Sequence, residues 1–135
     1  MTYVLDACAL IAVFNNEPGS SKIHDLLVQS LTGDVLVVMS PVNLAEVYYD
    51  RIKKVGLEQA NEIYNWVKIA VTVPEDITDN TIHEVGRLKS KYKCSLGDAF
   101  GLATAVVLSG QFVTADHHEL DEIEQQESIQ FFWFR

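Results

Sequence analysis

Cysteine, proline and long apolar runs are all scarce in this sequence, and each shortage removes a class of protein. The two cysteines, Cys8 and Cys94, lie far apart with no CxxC and no Cys/His spacing, which argues against zinc and for free buried thiols rather than a disulfide. His117 and His118 are adjacent, so on a helix they would point about 100° apart and make a poor ligand pair. No run reaches the roughly 18 apolar residues that a membrane-spanning helix needs. The opening MTYVLDACALIAVF lacks a basic n-region and carries Asp6 inside its apolar stretch, so a cytoplasmic protein without membrane association is expected. Bases are scarce too. Ten Lys and Arg against 19 Asp and Glu give a net charge of −9, which argues against coating nucleic acid by charge alone. Repeats, linkers and low-complexity stretches are absent.

What is present is apolar substance: 135 residues at 48% hydrophobic can bury a sizeable core, and a single domain over 1–135 is expected. Tyr3–Leu5 reads as a short strand ending at Asp6, followed by the helix-compatible ACALIAVF and a breaker at Glu17-Pro18-Gly19. Ser20-Ser21 can cap a helix to about Leu31, and Val35–Val38 reads as a fully buried strand. Ser40-Pro41 supplies an N-cap and first helical residue for a helix to about Lys54. A helix over Leu57–Lys68 leads into a strand at Ala70–Val73 that Pro74 ends. Thr78 or Asp79 opens a helix through Ser90, and Ser95 caps the helix Leu96–Leu108. Gln111–Thr114 is a fourth strand, a short acidic helix follows, and Ile129–Phe134 is a fifth. Strands separated by helices predict parallel pairing, hence a three-layer α/β/α sandwich around a mainly parallel five-stranded sheet.

Four carboxylates stand out against this apolar background: Asp6, Glu46, Asp98 and Asp116. Desolvating isolated carboxylates beside like charge costs several kcal/mol each unless a cation compensates, and a divalent metal is the simplest such cation. Asp6 and Asp116 each follow a strand and precede a helix. That is an N-cap position, and it is also where an α/β sheet opens its ligand crevice. Glu46 lies in the second turn after Ser40-Pro41, beyond the reach of a cap, and shares a polar edge with Asn43 and Asp50. Asp98 is the only ionisable residue in LGDAFGLATAVVL, a helix apolar on every face. Ser95-x-x-Asp98 can form a capping box, which accounts for its position. A cap does not account for Gly97 and Gly101, which lower helix propensity but permit close backbone approach.

Two alternatives fail on residues. A phosphoaspartyl hydrolase would want a second Asp two positions after the first, where Cys8 stands, and a response-regulator receiver would want a Lys ending a late strand. In order along the chain, YVLDACALIAVF, SPVNLAEV, SLGDAFGLATAV and FVTADHHEL resemble a PIN domain, and more narrowly a VapC-type toxin ribonuclease of a toxin–antitoxin pair. The resemblance implies a carboxylate cluster of Asp6, Glu46, Asp98 and Asp116 binding Mg²⁺ or Mn²⁺, endonucleolytic cleavage of RNA, and supporting polar roles for Asn43 and Thr114. It also implies an antitoxin partner. One departure is visible: the family usually has Ser or Thr two residues after its first Asp, where this chain has Cys8.

Seven of the ten bases fall in two segments, Arg51/Lys53/Lys54 and Arg87/Lys89/Lys91/Lys93, which flank Glu46 and Asp98 and are candidates for holding RNA phosphates. Solvated helix ends are the equal alternative. Phe131–Phe134 is expected as a buried strand, with a contribution to a homodimer interface as the alternative. Tyr48, Tyr49 and Trp66 could line a groove for an antitoxin helix, with core packing expected for at least two of them. Two other functions use the same residues: an RNA-processing nuclease without antitoxin, and a non-catalytic interaction module in which the acids are only caps.

Overall fold

Val4 and Leu5 are neighbours on one strand and both are fully buried, one on each face, so the sheet they belong to must be covered on both sides. The computed structural model describes residues 1–135 and meets that requirement. The elements in chain order are β1 (Thr2–Leu5), α1 (Ala7–Phe14), α2 (Ser20–Leu31), β2 (Leu36–Val38), α3 (Pro41–Val55), α4 (Leu57–Ala70), α5 (Asp79–Lys91), α6 (Leu96–Leu108), β3 (Gln111–Thr114), α7 (His117–Gln126) and β4 (Phe131–Trp133). All strands pair in parallel in the order β2-β1-β3-β4. Leu5, Leu10, Leu27, Val37, Met39 and Val113 fill the core on one face, and Val4, Val38, Leu88, Leu102, Phe112 and Ile123 fill the other.

The expected five-stranded sheet has four strands, because the strand predicted at Ala70–Val73 does not form. Helix α4 runs two residues beyond its predicted end and takes Ala70, which leaves three residues before Pro74. Thr72 alone pairs with Val38: its N–H donates to the Val37 carbonyl at 2.8 Å and its carbonyl accepts from the Met39 N–H at 3.0 Å. Helix α2 also starts differently from expectation. Gly19, at φ +85°, is its N-cap, and a Cβ there would lie 2.1 Å from the Phe134 carbonyl oxygen. No helix is long and apolar enough to cross a membrane.

Strand order fixes where a ligand crevice can open. The chain leaves β1 toward β2 on one side and reaches β3 on the other, so the carboxyl ends of β1 and β3 form the topological switch point of the sheet. Asp6 follows β1 and Asp116 lies two residues beyond β3, and these strands pair directly, with Leu5 opposite Val113.

Candidate active site

Above that switch point lies a cleft of about 650 Å³ lined by twelve residues, six of them acids: Asp6, Glu17, Glu46, Asp98, Asp116 and Glu119. Lys93 is the only Lys or Arg in the lining. All four carboxylates singled out in the sequence are therefore brought to one place.

Asp6 is 6% exposed and has both carboxylate oxygens engaged. Oδ1 accepts from the Ala7 N–H at 2.8 Å, capping α1, while Oδ2 accepts from Thr114 Oγ1 at 2.9 Å and from Cys8 Sγ at 3.4 Å. Burial pushes its pKa up to about 7, the charge of Asp98 adds to this, and the bonds from Thr114, Cys8 and Ala7 pull the other way. Thr114, fully buried, also accepts from the Asp116 N–H at 3.2 Å, so one hydroxyl ties the two strand-end acids together. The Cys8 thiol is itself raised well above its ordinary range, by burial first and then by the Asp6 charge, which keeps it protonated and able to donate.

Glu46 reaches the cleft from the second turn of α3. Its Oε1 accepts from Asn43 Nδ2 at 2.9 Å, and the same nitrogen donates to the Gly97 carbonyl at 3.0 Å. Asn43 is 0% exposed and its Oδ1 is the one buried side-chain polar atom without a partner. Burial raises the Glu46 pKa above its ordinary value, opposed by the Asn43 bond and reinforced by Asp98. Asp98, 9% exposed, rides the first turn of α6, where Ser95 Oγ accepts its N–H at 3.0 Å. Its pKa is raised, chiefly by burial. The Ser95 hydroxyl and backbone N–H face the Asp98 carboxylate and oppose that rise, as the capping box expected from the sequence would have them do. Asp116 caps α7 by accepting from the Glu119 N–H at 3.3 Å.

Two further acids were not anticipated. Glu119 stands three residues after Asp116, a spacing that places both at the start of one helix, so the sequence did carry a signal for it. Glu17 had none, because a tertiary contact holds it: Arg135 Nη1 reaches its Oε1 at 3.3 Å, while the neighbouring Asn15 Nδ2 donates to its Oε2 at 3.1 Å.

Most of the basic candidates are placed elsewhere. Arg51 is 3% exposed, bonded to Asp50 and to Asn15 and packed over the Phe14 ring, which corrects the expectation that it presents itself to a phosphate. Arg87 and Lys91 pair with Glu127, and Arg87 also with Glu84. Lys89 donates to the Cys94 carbonyl at 2.6 Å, Lys53 lies over the Tyr49 ring, and Lys54 is exposed on the last turn of α3. Lys93 alone of the seven lines the cleft. A second cavity of about 360 Å³, beside Arg87, Ser109, Gly110 and Glu127, contains charged groups that already satisfy one another.

The aromatic expectations divide. Phe134 is buried while Phe131, Phe132 and Trp133 are half-buried. Tyr49 and Trp66 are exposed, which corrects the expectation of core packing, and Tyr48 with Tyr64 lines a groove between α3 and α4. No three His, Cys, Asp or Glu side chains stand close enough, as they lie, to hold one ion among them. What fits a divalent cation is the donor chemistry: oxygen ligands that are desolvated and mutually repelling.

The PIN domain family profile matches residues 3–125, a span that contains all four acids. No protein of curated function matches the sequence. Among solved structures, VapBC2 of Rickettsia felis, bound to a DNA fragment from its promoter, has a similar chain at 17% identity, with 98% of each chain covered and a TM-score of 0.78. VapBC-1 of nontypeable Haemophilus influenzae is similar at 18% identity, covering 99% of this chain and 98% of that one, with a TM-score of 0.74. VapC20 of Mycobacterium tuberculosis, a sarcin-ricin loop cleaving toxin, is similar at 16% identity over 81% of this chain and 85% of its own, with a TM-score of 0.62. Identities this low speak to a shared fold, whereas the profile match over most of the length speaks to descent. The chain belongs to the PIN domain family.

Proposed function

We propose that this chain is a single-domain, Mg²⁺- or Mn²⁺-dependent endoribonuclease that acts as the toxin of a two-protein toxin–antitoxin pair. One observation carries the chemistry: Asp6 and Asp98 are each more than nine-tenths buried in a shared cleft, and neither forms an ion pair with a base. A fold does not maintain such repulsion cheaply unless a cation completes the site.

Asp6, Glu46, Asp98 and Asp116 would hold the metal, with Thr114 orienting Asp6 and Asn43 orienting Glu46 as their hydrogen bonds indicate. A divalent ion held there would supply Lewis-acid stabilisation of phosphoryl oxygens and a hydroxide nucleophile at neutral pH. The protein residues fix the geometry: the caps of α1 and α7 immobilise Asp6 and Asp116, and α6 presents Asp98 from a buried helix. Lys93 at the rim supplies positive charge to the approaching backbone. The toxin role and an antitoxin partner are supported by the VapBC complexes among the similar folds, and the RNA substrate by VapC20. The exposed Tyr49 and Trp66 and the groove beside Tyr48 offer apolar surface to a partner chain, whether antitoxin or second protomer.

Asp98→Asn tests this reading. It preserves the Ser95 cap on the backbone while removing one charge from the cluster. Metal-dependent RNA cleavage should fall at least a hundredfold, and metal-free thermal stability should stay level or rise. Persistent cleavage together with a loss of about 1 kcal/mol, as expected of a lost cap, would overturn the metal-site reading of Asp98.

A further inference from the structure

Gly97 occupies the first turn of α6, where glycine is roughly 1 kcal/mol less favourable than alanine. Its backbone lies outside the left-handed region, so the conformation does not require glycine. Space does. A Cβ at position 97 would lie 2.2 Å from Glu46 Oε1, 2.8 Å from its Cδ and 3.0 Å from Oε2. The Gly97 carbonyl meanwhile accepts from Asn43 Nδ2 at 3.0 Å, and that nitrogen also holds Glu46 Oε1 at 2.9 Å. The Glu46 carboxylate is thus pressed against α6 by Asn43 and rests where a side chain is missing. Gly86 in α5 is the natural contrast, with nothing within 4 Å of its would-be Cβ.

We propose that Gly97 is a positioning residue for Glu46: the absent side chain forms a seat for the Glu46 carboxylate and sets how closely it lies against the first turn of α6, beside Asp98. The proposal deepens the metal-site reading and rests on it for its functional consequence, but the seat itself is a property of the metal-free protein. A methyl group at 97 displaces the end of a flexible side chain rather than backbone, so the fold should survive while the carboxylate moves.

Four variants of the full chain test it: Gly97→Ala, Gly86→Ala, Glu46→Asp and the double variant Gly97→Ala/Glu46→Asp. Two readouts are needed, the NMR resonances of the Asn43 side-chain amide without metal and the Mn²⁺ affinity by calorimetric titration. Gly97→Ala should shift the Asn43 resonances, weaken Mn²⁺ binding at least tenfold and leave the melting temperature unchanged or higher. Gly86→Ala should change neither readout. Aspartate is one methylene shorter and withdraws from the seat, so the double variant should bind Mn²⁺ no worse than Glu46→Asp alone. Unchanged Asn43 resonances in Gly97→Ala, or Mn²⁺ losses that multiply in the double variant, would overturn the proposal. If wild type binds no Mn²⁺ while the Asn43 resonances still move, the metal reading fails and the seat stands. Should Gly97→Ala not fold, refolding in the double variant would support the same clash, and its failure to refold would refute it.

Discussion

Thr114 shows how closely single side chains are shared at this site. Its hydroxyl donates to Asp6 Oδ2 and accepts from the Asp116 N–H, so it couples the ends of β1 and β3. Thr114→Val keeps the shape and removes both bonds. It should lower stability at pH 7 by about 1–2 kcal/mol, measured by chemical denaturation, and reduce cleavage by roughly 10–100-fold; full activity in this variant would mean that Asp6 needs no orienting partner. At this scale the sequence was legible where an acid stood alone among apolar residues, as Asp98 does on its helix. It was not legible where distant segments meet. The seat at Gly97 depends on α3 lying across α6, Glu17 depends on Arg135, and Arg51 looked like a surface base until Asp50, Asn15 and Phe14 enclosed it.

At the level of elements, strand ends and caps were readable because short-range chemistry decides them. Ser40-Pro41 opens α3, Ser95 caps α6, and Asp6 and Asp116 cap the helices that follow β1 and β3. The lost fifth strand is the instructive exception. Its residues suit a strand, but helix packing carried α4 through Ala70, and Pro74 cannot donate to a ladder, so only the Thr72 bridge remains. Gly101 is a position where two elements touch closely: a Cβ there would lie 2.5 Å from Phe112 Cε1, 2.9 Å from Cζ and 3.1 Å from Asn43 Oδ1. Gly101→Ala should therefore destabilise the protein by about 1–3 kcal/mol despite its better helix propensity, as read from the denaturation midpoint. Unlike Gly97→Ala it meets a buried ring on the central sheet, and a neutral result would show that α6 can slide on β3.

For the whole molecule, charge is distributed in two opposite ways. Around Glu127 the partners are complementary: Arg87, then Tyr92 and Lys91, hold its carboxyl down at about 2. In the cleft they are not, and Asp6 is held up at about 7. Linkage turns both into a stability profile. Between its ordinary 3.8 and about 7 the folded protein keeps a proton on Asp6 that the unfolded chain has released, so stability falls as pH rises through that window, by up to a few kcal/mol. Glu127 contributes stability above its ordinary 4.5 that disappears as pH falls toward about 2. The metal-free protein should thus melt highest near pH 4, and Mn²⁺ should raise the melting temperature more at pH 8 than at pH 5, where protons compete for the same oxygens. A metal-free melting temperature that climbs from pH 5 to pH 8 would contradict the assignment of Asp6 as the uncompensated acid.

The last residues of the chain bear on how the protein should be handled. Phe134 is buried, its carbonyl lies against Gly19, and Arg135 bonds to Glu17 and to the Pro18 carbonyl, so Arg135 is fastened to the lip of the acidic cleft. Met1 precedes β1 at the other end of the sheet, roughly 15 Å away along the strand. An affinity tag fused after Arg135 would pull on Glu17 and crowd the cleft mouth, and a polyhistidine tag there would bring metal ligands of its own beside the acids. A tag placed ahead of Met1 leaves that lip untouched, and it is the arrangement in which metal titrations report on the protein alone.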